Sequence, residues 1–482
     1  MQDFERKLDS RLLLSIIATG LMAFTGIVIE TAMNVTFPTL MREFGVSLST
    51  VQWITTGYLL VLAIVIPASA YLKQRFASRK LFIYANLIFL SGTILSFLSI
   101  DFGCLILGRL LQGLGTGIAL PLMFNIVMEQ APIEKIGMMM GGATLVVAMA
   151  PAVGPFFGGM IVRDLGWRMI FYCLLPIIVF SLLCGLYAIR QSTKLTRPAF
   201  PIYSYLLLAA GFTCFILAAS LAGSHGWTSA WVLGLFAASG LLLFVFTRRS
   251  LKEAAPLLHL QALSNSPFSF SVLALLLLQF ICLGLGFFIP NFAQIVLGEN
   301  PFVAGCILLP GCLLGAMLAP ISGRLLDRFG AKRPILLGCL LVLTAMLLFY
   351  NLLSAATAIT LAVIYMVFTL GQGFSSGNIM VHGLNQLPQQ YKADGNAIFN
   401  TMQQLAGAIG TAVIATIVSA PQAYLPVNLP QATAIGSQHA CLLLCLLALL
   451  LLFTMYMATT TKTVTKDAVC EFNLIRQKSS TS

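Results

Sequence analysis

The chain has 482 residues, 59% of them hydrophobic and only 9% charged, with mean hydropathy +0.95 and net charge +12. Soluble proteins carry roughly 25% charged residues, so there is too little polar surface here to coat a soluble globule, and the chain reads as a polytopic membrane protein. The positive charge does not point to nucleic acid, because the basic residues fall in short loops between apolar runs and no basic patch with interleaved aromatics occurs.

A membrane-crossing helix needs about 20 mostly apolar residues. Fourteen such runs are predicted: 12–38, 51–72, 81–99, 104–127, 138–162, 169–189, 203–223, 230–247, 268–290, 302–322, 334–353, 356–378, 395–419 and 439–459. The first is too long for a signal-peptide core and shows no small-residue cleavage site. An even number puts both termini on one side. With the termini taken as cytoplasmic, 23 of the 27 basic residues lie in inside segments and only Arg42, Arg163 and Arg168 outside, with Arg109 within a span. That asymmetry fixes the expected orientation.

The first run contains Glu30, the only acidic residue well inside a predicted span, followed by Thr31 and by Asn34-Val35-Thr36-Phe37-Pro38. A carboxylate at membrane depth is costly unless paired or protonated, and marks a functional site by default. Apolar surroundings favour its protonated form, which suits taking up and releasing a proton near neutral pH. The plainer reading is a structural carboxyl hydrogen-bonded inside a helix bundle.

After the second span, Pro67 to Lys80 aligns with Pro320 to Arg333 at a constant offset of 253 residues, with Pro, Ser, Leu, Arg and Phe recurring. The basic members are Arg75, Arg79 and Lys80 in the first copy and Arg328, Lys332 and Arg333 in the second. Each copy joins the second and third spans of a six-span set, so spans 7 and 8 read as an insertion between two halves. Parallel six-span halves place a substrate site near the midplane at their interface.

The fourth span carries Gly108-Arg109-Leu110-Leu111-Gln112-Gly113, whose arginine must face the protein interior and find acceptors. The fifth carries Gly154-Pro155-Phe156-Phe157-Gly158-Gly159. Small residues let helix backbones approach closely, and Pro155 removes one helix hydrogen bond. The pair reads as a tight, bendable seam, against the plainer reading of ordinary glycine packing.

These stretches together resemble the fourteen-span drug:proton antiporter branch of the major facilitator superfamily, over the whole chain. The resemblance implies an all-α integral membrane fold of two six-helix bundles plus two extra helices. The expected division is 1–195, a 196–262 insertion, 263–459 and a cytoplasmic tail, 460–482. It implies that Gly154, Pro155, Gly158 and Gly159 form the signature of exporters. It also implies that spans 1 and 4 are neighbours, making Glu30 the sensible partner of Arg109. The family's loop normally reads Gly-x-Leu-x-Asp-Arg-x-Gly-Arg-Arg. The second copy keeps Gly323, Asp327 and Gly330, whereas the first has Ala70, Gln74 and Ala77 in their place. Glu30 stands where the family usually has Asp, which implies proton coupling, recognition of cationic compounds, or both.

Other polar residues are candidates to line a path: Asn34, Gln52, Trp53, Tyr58, Gln112, Gln279, Asn291, Gln372, Asn400 and Gln404. Each is individually more often an interhelical hydrogen bond than a substrate contact. Ten of the eleven cysteines lie in apolar spans at spacings that suit neither zinc nor a disulfide framework, so no metal and no cofactor is expected. No phosphate-binding loop occurs, so the energy source is expected to be an ion gradient. The expected partners are protons, small amphipathic or cationic molecules and the lipid bilayer, with the protein acting as a monomer in a bacterial inner membrane. The rival readings are a dedicated exporter of a single metabolite, amino acid or antibiotic and, more distantly, a membrane sensor or enzyme on a transporter scaffold.

Overall fold

In a computed structural model of the chain, residues 9–132, 135–191, 195, 200–253, 256–388, 391–424 and 428–460 are described. They form seventeen helices, two of them short 3-10 turns, and no strands. The helices of the first part are α1 (Ser10–Phe44), α2 (Leu48–Val51), α3 (Trp53–Arg75), α4 (Ser78–Phe97), α5 (Phe102–Gln130), α6 (Ile136–Asp164) and α7 (Arg168–Ala188). Then come α8 (Ile202–His225), α9 (Ala230–Ser250), α10 (Ser266–Ile295), α11 (Pro301–Phe329), α12 (Lys332–Leu352), α13 (Ala358–Asn385), α14 (Lys392–Tyr424) and α15 (Leu429–Thr460). Thirteen segments are long and apolar enough to cross a membrane, with α2 and α3 counting as one. Helix α6 is outside that set; it has 29 residues, carries Pro151 and Pro155, and several of its side chains lie outside the described residues. The expected tail beyond Thr460 also lies outside them.

Short polar residues start the helices. Asp9, Ser47, Asp101, Asn265, Asn300 and Thr357 each accept a backbone N–H of the first turn. The N–H of Cys104 donates to Asp101 Oδ1 at 2.9 Å, which holds that carboxyl below its ordinary range. A lowered folded-state pKa means the cap contributes fully near neutral pH and fades as pH falls through that value.

Helix α1 outruns its predicted span because its last turn is anchored. Trp167 Nε1 donates to Glu43 Oε2 and Arg168 Nη1 to Glu43 Oε1, both at 2.6 Å. Gly45, at φ 63°, then ends the helix in the left-handed conformation.

Helix α1 packs on α5, α6 and α7, while α3 packs on α5, and α4 on α5 and α7. The later helices repeat this order: α10 packs on α13, α14 and α15, α11 on α13, and α12 on α13 and α15. The principal joins between the two sets are α1 with α10, α6 with α11 and α3 with α14. Helices α8 and α9 pair with each other, and α8 also lies against α14 and α3.

Single glycines make close crossings in both sets. A Cβ on Gly92 would stand 2.6 Å from Gly108 O, and a Cβ on Gly371 the same 2.6 Å from Gly338 O. These are the α4–α5 and α12–α13 crossings, where bare backbones touch. Gly371→Val is therefore expected to lower the thermal unfolding midpoint of the purified protein. Overpacking against backbone costs about 1–3 kcal/mol, and an unchanged midpoint would mean the crossing tolerates separation.

The two copies of the basic loop differ in backbone. Gly330 ends α11 at φ 74°, a conformation that favours glycine, whereas its counterpart Ala77 sits at φ −61°, open to any residue. The first loop also has another acid. Lys73, at the end of α3, forms an ion pair with Glu129 near the end of α5. Arg75, Arg79, Lys80, Arg328, Lys332 and Arg333 are exposed. The Asp327 side chain lies outside the described residues.

Candidate functional site

Helix α1 is surrounded by other helices and shows a single partly open stripe. Leu13, Ile17, Leu21, Phe24 and Ile27 are exposed or half-buried, at spacings of 3 or 4 residues, the spacing of one helix face. From Val28 to Pro38 every residue is buried. Helix α10 behaves alike: Leu273, Leu276, Gln279, Leu283 and Gly286 are open, and Phe287 to Ala293 are buried. Both stripes run from the end of the bundle carrying Asp9 and Thr460 and stop partway along their helices. Asn34 Nδ2 lies 3.9 Å from where a Cβ on Gly286 would sit. Both helices are thus open toward the terminal end and buried toward the far end.

Glu30 sits in the buried stretch of α1, one turn past Ile27, with 5% of its surface exposed. Among the described residues its carboxylate has neither an ion pair nor a hydrogen bond. Arg109 of α5, Tyr58 of α3 and Cys282 of α10 lie within its electrostatic reach. The carboxylate therefore faces both helix sets.

The expected direct pair between Glu30 and Arg109 is not formed. Arg109 Nε donates to Ile54 O at 3.1 Å, Nη1 donates to Gln112 Oε1 at 2.5 Å, and the guanidinium lies 4.4 Å from the centre of the Tyr58 ring. Gln112 passes the chain on, its Nε2 donating to Thr93 Oγ1 at 3.0 Å. A partner one turn away on the same helix and a backbone carbonyl on α3 hold the cation without drawing it to the carboxylate. Arg109 Nη2 and the Tyr58 hydroxyl are buried without a hydrogen-bond partner among the described residues.

The far end is sealed by contacts between the two sets. Phe37 and Phe287 meet with ring centres 5.7 Å apart, and Gln294 Nε2 donates to Val35 O at 2.9 Å. The hydroxyls of Thr56 on α3 and Thr411 on α14 share a hydrogen bond of 2.8 Å. The glycines of α6 serve two neighbours. A Cβ on Gly154 would overlap Thr31 Oγ1 and stand 2.9 Å from Val28 O, and one on Gly158 would stand 2.8 Å from Ala32 O, both against α1. Gly159 faces α11, where a Cβ would be 3.0 Å from Phe302 Cα, and Gly305 of α11 returns the approach against Pro155. Beside them Phe156 and Phe302 pack at 5.7 Å, and the Arg163 guanidinium lies 4.8 Å from the Phe302 ring centre.

The other sequence candidates divide in two. Gln279, Gln372, Asn400 and Gln404 are half-buried, and Gln372 Nε2 donates to Cys282 Sγ at 3.0 Å. Trp53 is half-buried against the apolar cluster of α3, α8 and α14. Asn34, Gln52, Gln112 and Asn291 are buried and tied: Asn34 Oδ1 accepts from Thr55, Gln52 Nε2 donates to Ser220 of α8, and Asn291 Nδ2 donates to Phe287 O. The residues missed by sequence reasoning are Cys282, Thr55, Thr56 and Thr411, single small polar groups in apolar runs that carry no pattern of their own. All ten cysteines among the described residues are free thiols.

The chain matches the model of the Major Facilitator Superfamily over residues 19–411. It is 36% identical over 408 residues to the "Lincomycin resistance protein LmrB" of Listeria innocua, covering 84% of this chain and 87% of that one. It is 28% identical over 415 residues to the "Tetracenomycin C resistance and export protein" of Streptomyces glaucescens, covering 83% and 76%. Among solved structures it is similar, at a TM-score of 0.69 and 14% identity, to a bacterial homologue of the human lysosomal transporter Spinster in an inward-facing, unoccupied conformation, covering 94% of this chain and 98% of that one.

Proposed function

Because the chain belongs to the major facilitator superfamily and is a multi-pass membrane transporter rather than an enzyme, we propose that it is a proton-coupled antiporter. It exports lipophilic, often cationic compounds by alternating access. The observation that carries this reading is Glu30, a buried carboxylate with no ion pair or hydrogen bond among the described residues, just past the end of the open stripe of α1. A lone acid in that position holds either a proton or the positive charge of a substrate, and exchange of one for the other is antiport in its simplest form. The resistance and export named for the two relatives support the outward direction.

The architecture is read in the same way. Helix α6 counts as a fourteenth span, α1 to α7 and α10 to α15 are the two bundles, and α8 with α9 is the insertion. The excess of basic residues at the terminal end supports a cytoplasmic position for that end. The conformation is then inward-open, and Glu30 exchanges protons with the cytoplasm in this state. In the outward-open state the seam of α6 and α11 parts and the terminal end closes. Arg109, Gly154, Pro155, Gly158 and Gly159 serve the cycle by holding the charge balance and the seam.

Uptake of ethidium into inside-out vesicles under an imposed pH gradient tests the reading. Accumulation that collapses when a proton ionophore is added is the expected result. Uptake indifferent to the gradient would rule out proton coupling. The second reading, an exporter of one antibiotic or metabolite, is favoured by relatives whose names each cite a single compound. Gradient-driven uptake confined to one compound in a panel of lipophilic cations and antibiotics would establish it.

A further inference from the structure

A groove of about 540 Å³ lies between α12 and α15. It is walled by Leu336, Leu337 and Leu340 of α12 and by Leu449, Phe453 and Tyr456 of α15. All of these side chains except Leu336 are exposed. The groove therefore lies on the outside of two helices that are each long and apolar enough to cross a membrane. In a bilayer that side meets lipid chains, which are as apolar as leucine.

The groove changes character at the terminal end. Arg333 precedes Leu336, Leu337 and Leu340 by 3, 4 and 7 residues, the spacing of one helix face. Lys332 Nζ lies 5.7 Å from the centre of the ring of Tyr456, at the same end of the groove. Lys332 and Arg333 are exposed in the first turn of α12, and no acid stands in that turn. The helix dipole disfavours cations at this position, and among the described residues neither side chain forms an ion pair. The corresponding start of α4, 253 residues earlier, is covered: the Ser78 N–H donates to Oε1 of Gln191, just beyond α7, at 2.8 Å.

We propose that this groove binds one anionic phospholipid, with an acyl chain between α12 and α15 and the phosphate at Lys332 and Arg333. The occupant follows from charge complementarity. From Arg333 to Leu340 the apolar face runs seven residues, about 10 Å at the rise of an α-helix, and it starts at two cations without an acidic partner among the described residues. A molecule that is anionic at one end and aliphatic along the rest satisfies both parts. A free phosphate would leave the groove unfilled, and a second copy of the chain in the same orientation would bring like charges to the same end of the contact. The inference needs only the position in a membrane, not the export reading.

The test is native mass spectrometry of the purified full-length protein with phosphatidylglycerol or phosphatidylcholine of identical acyl chains. Wild type is expected to hold one phosphatidylglycerol and to prefer it by about fivefold for each of the two basic residues. The double variant Lys332→Gln/Arg333→Gln is expected to lose that preference, whereas Arg79→Gln/Lys80→Gln, at the corresponding turn of α4, keeps it. Leu340→Trp fills the groove and is expected to weaken both lipids alike. Added phosphatidylglycerol is expected to raise the unfolding midpoint of wild type and of the Arg79/Lys80 variant more than that of the Lys332/Arg333 variant, because a ligand that binds the folded state stabilises it. Equal binding of the two lipids by wild type would overturn the proposal without recourse to any variant. An equal loss of preference in both double variants would reduce it to a general attraction of the basic rim. Unchanged binding in Leu340→Trp, or displacement of the lipid by soluble glycerol 1-phosphate, would remove the groove from the site.

Discussion

Inside-out vesicles carrying the Glu30→Gln protein are expected to show no pH-gradient-driven accumulation of ethidium, while the protein unfolds at the wild-type temperature. The two halves of that result come from one observation. Glu30 has no ion pair or hydrogen bond to break among the described residues, so an isosteric amide removes the titratable group without leaving a buried charge behind. That contrasts with Arg109, whose loss would strand Ile54 O and Gln112 Oε1. Glu30→Asp keeps the acid but withdraws it by about one bond length. Misplacement on that scale costs on the order of a hundredfold in a positioned reaction, so this variant is expected to couple weakly rather than not at all. A Glu30→Gln protein that still follows the gradient would make Glu30 a structural carboxyl and move the coupling elsewhere.

Most of the architecture was legible because lipid imposes a strict rule. Backbone polar groups in the bilayer must be satisfied internally, so a spanning segment is a continuous apolar helix with a length set by the membrane. The 253-residue offset of the basic loops falls on helices that pack in the same order in both sets. Glu30 was legible for the opposite reason, as a charge that breaks the apolar rule.

Pairings were the part that chemistry alone did not decide. Arg109 had several acceptors of comparable quality. Gln112, three residues along the same helix, needed no tertiary fit to reach it, and the Ile54 carbonyl needed only the neighbouring α3. The contacts at the far end were invisible because they depend on Phe37 meeting Phe287 and Gln294 reaching Val35, residues some 250 positions apart. Ser220 could not be singled out from other serines in apolar runs, yet it binds Gln52 and ties the α8–α9 pair to α3.

Substituting Val for Gly305 or Gly159 is expected to hold the far end apart and reduce transport by about tenfold or more. The reason is geometric. A Cβ on Gly305 would lie 2.8 Å from Pro155 C and 3.3 Å from Phe156 Cα, and one on Gly159 would lie 3.0 Å from Phe302 Cα. These are backbone atoms, which cannot swing aside as a side-chain tip can. The relief available is to separate α6 from α11, the motion that the proposed outward-open state requires. Overpacking of this kind costs about 1–3 kcal/mol, and a shift of 1.4 kcal/mol changes a conformational ratio tenfold. The closed far end would then become the minor state. Spin labels at Ile100 and Ile359, 88% and 76% exposed near the far ends of α4 and α13, read the change as a longer distance by electron-spin resonance in a cysteine-free background. A lengthened distance with lost transport supports a moving seam. An unchanged distance with a lowered unfolding temperature would mean that the glycines serve static packing, and that alternating access opens at another pair of helices.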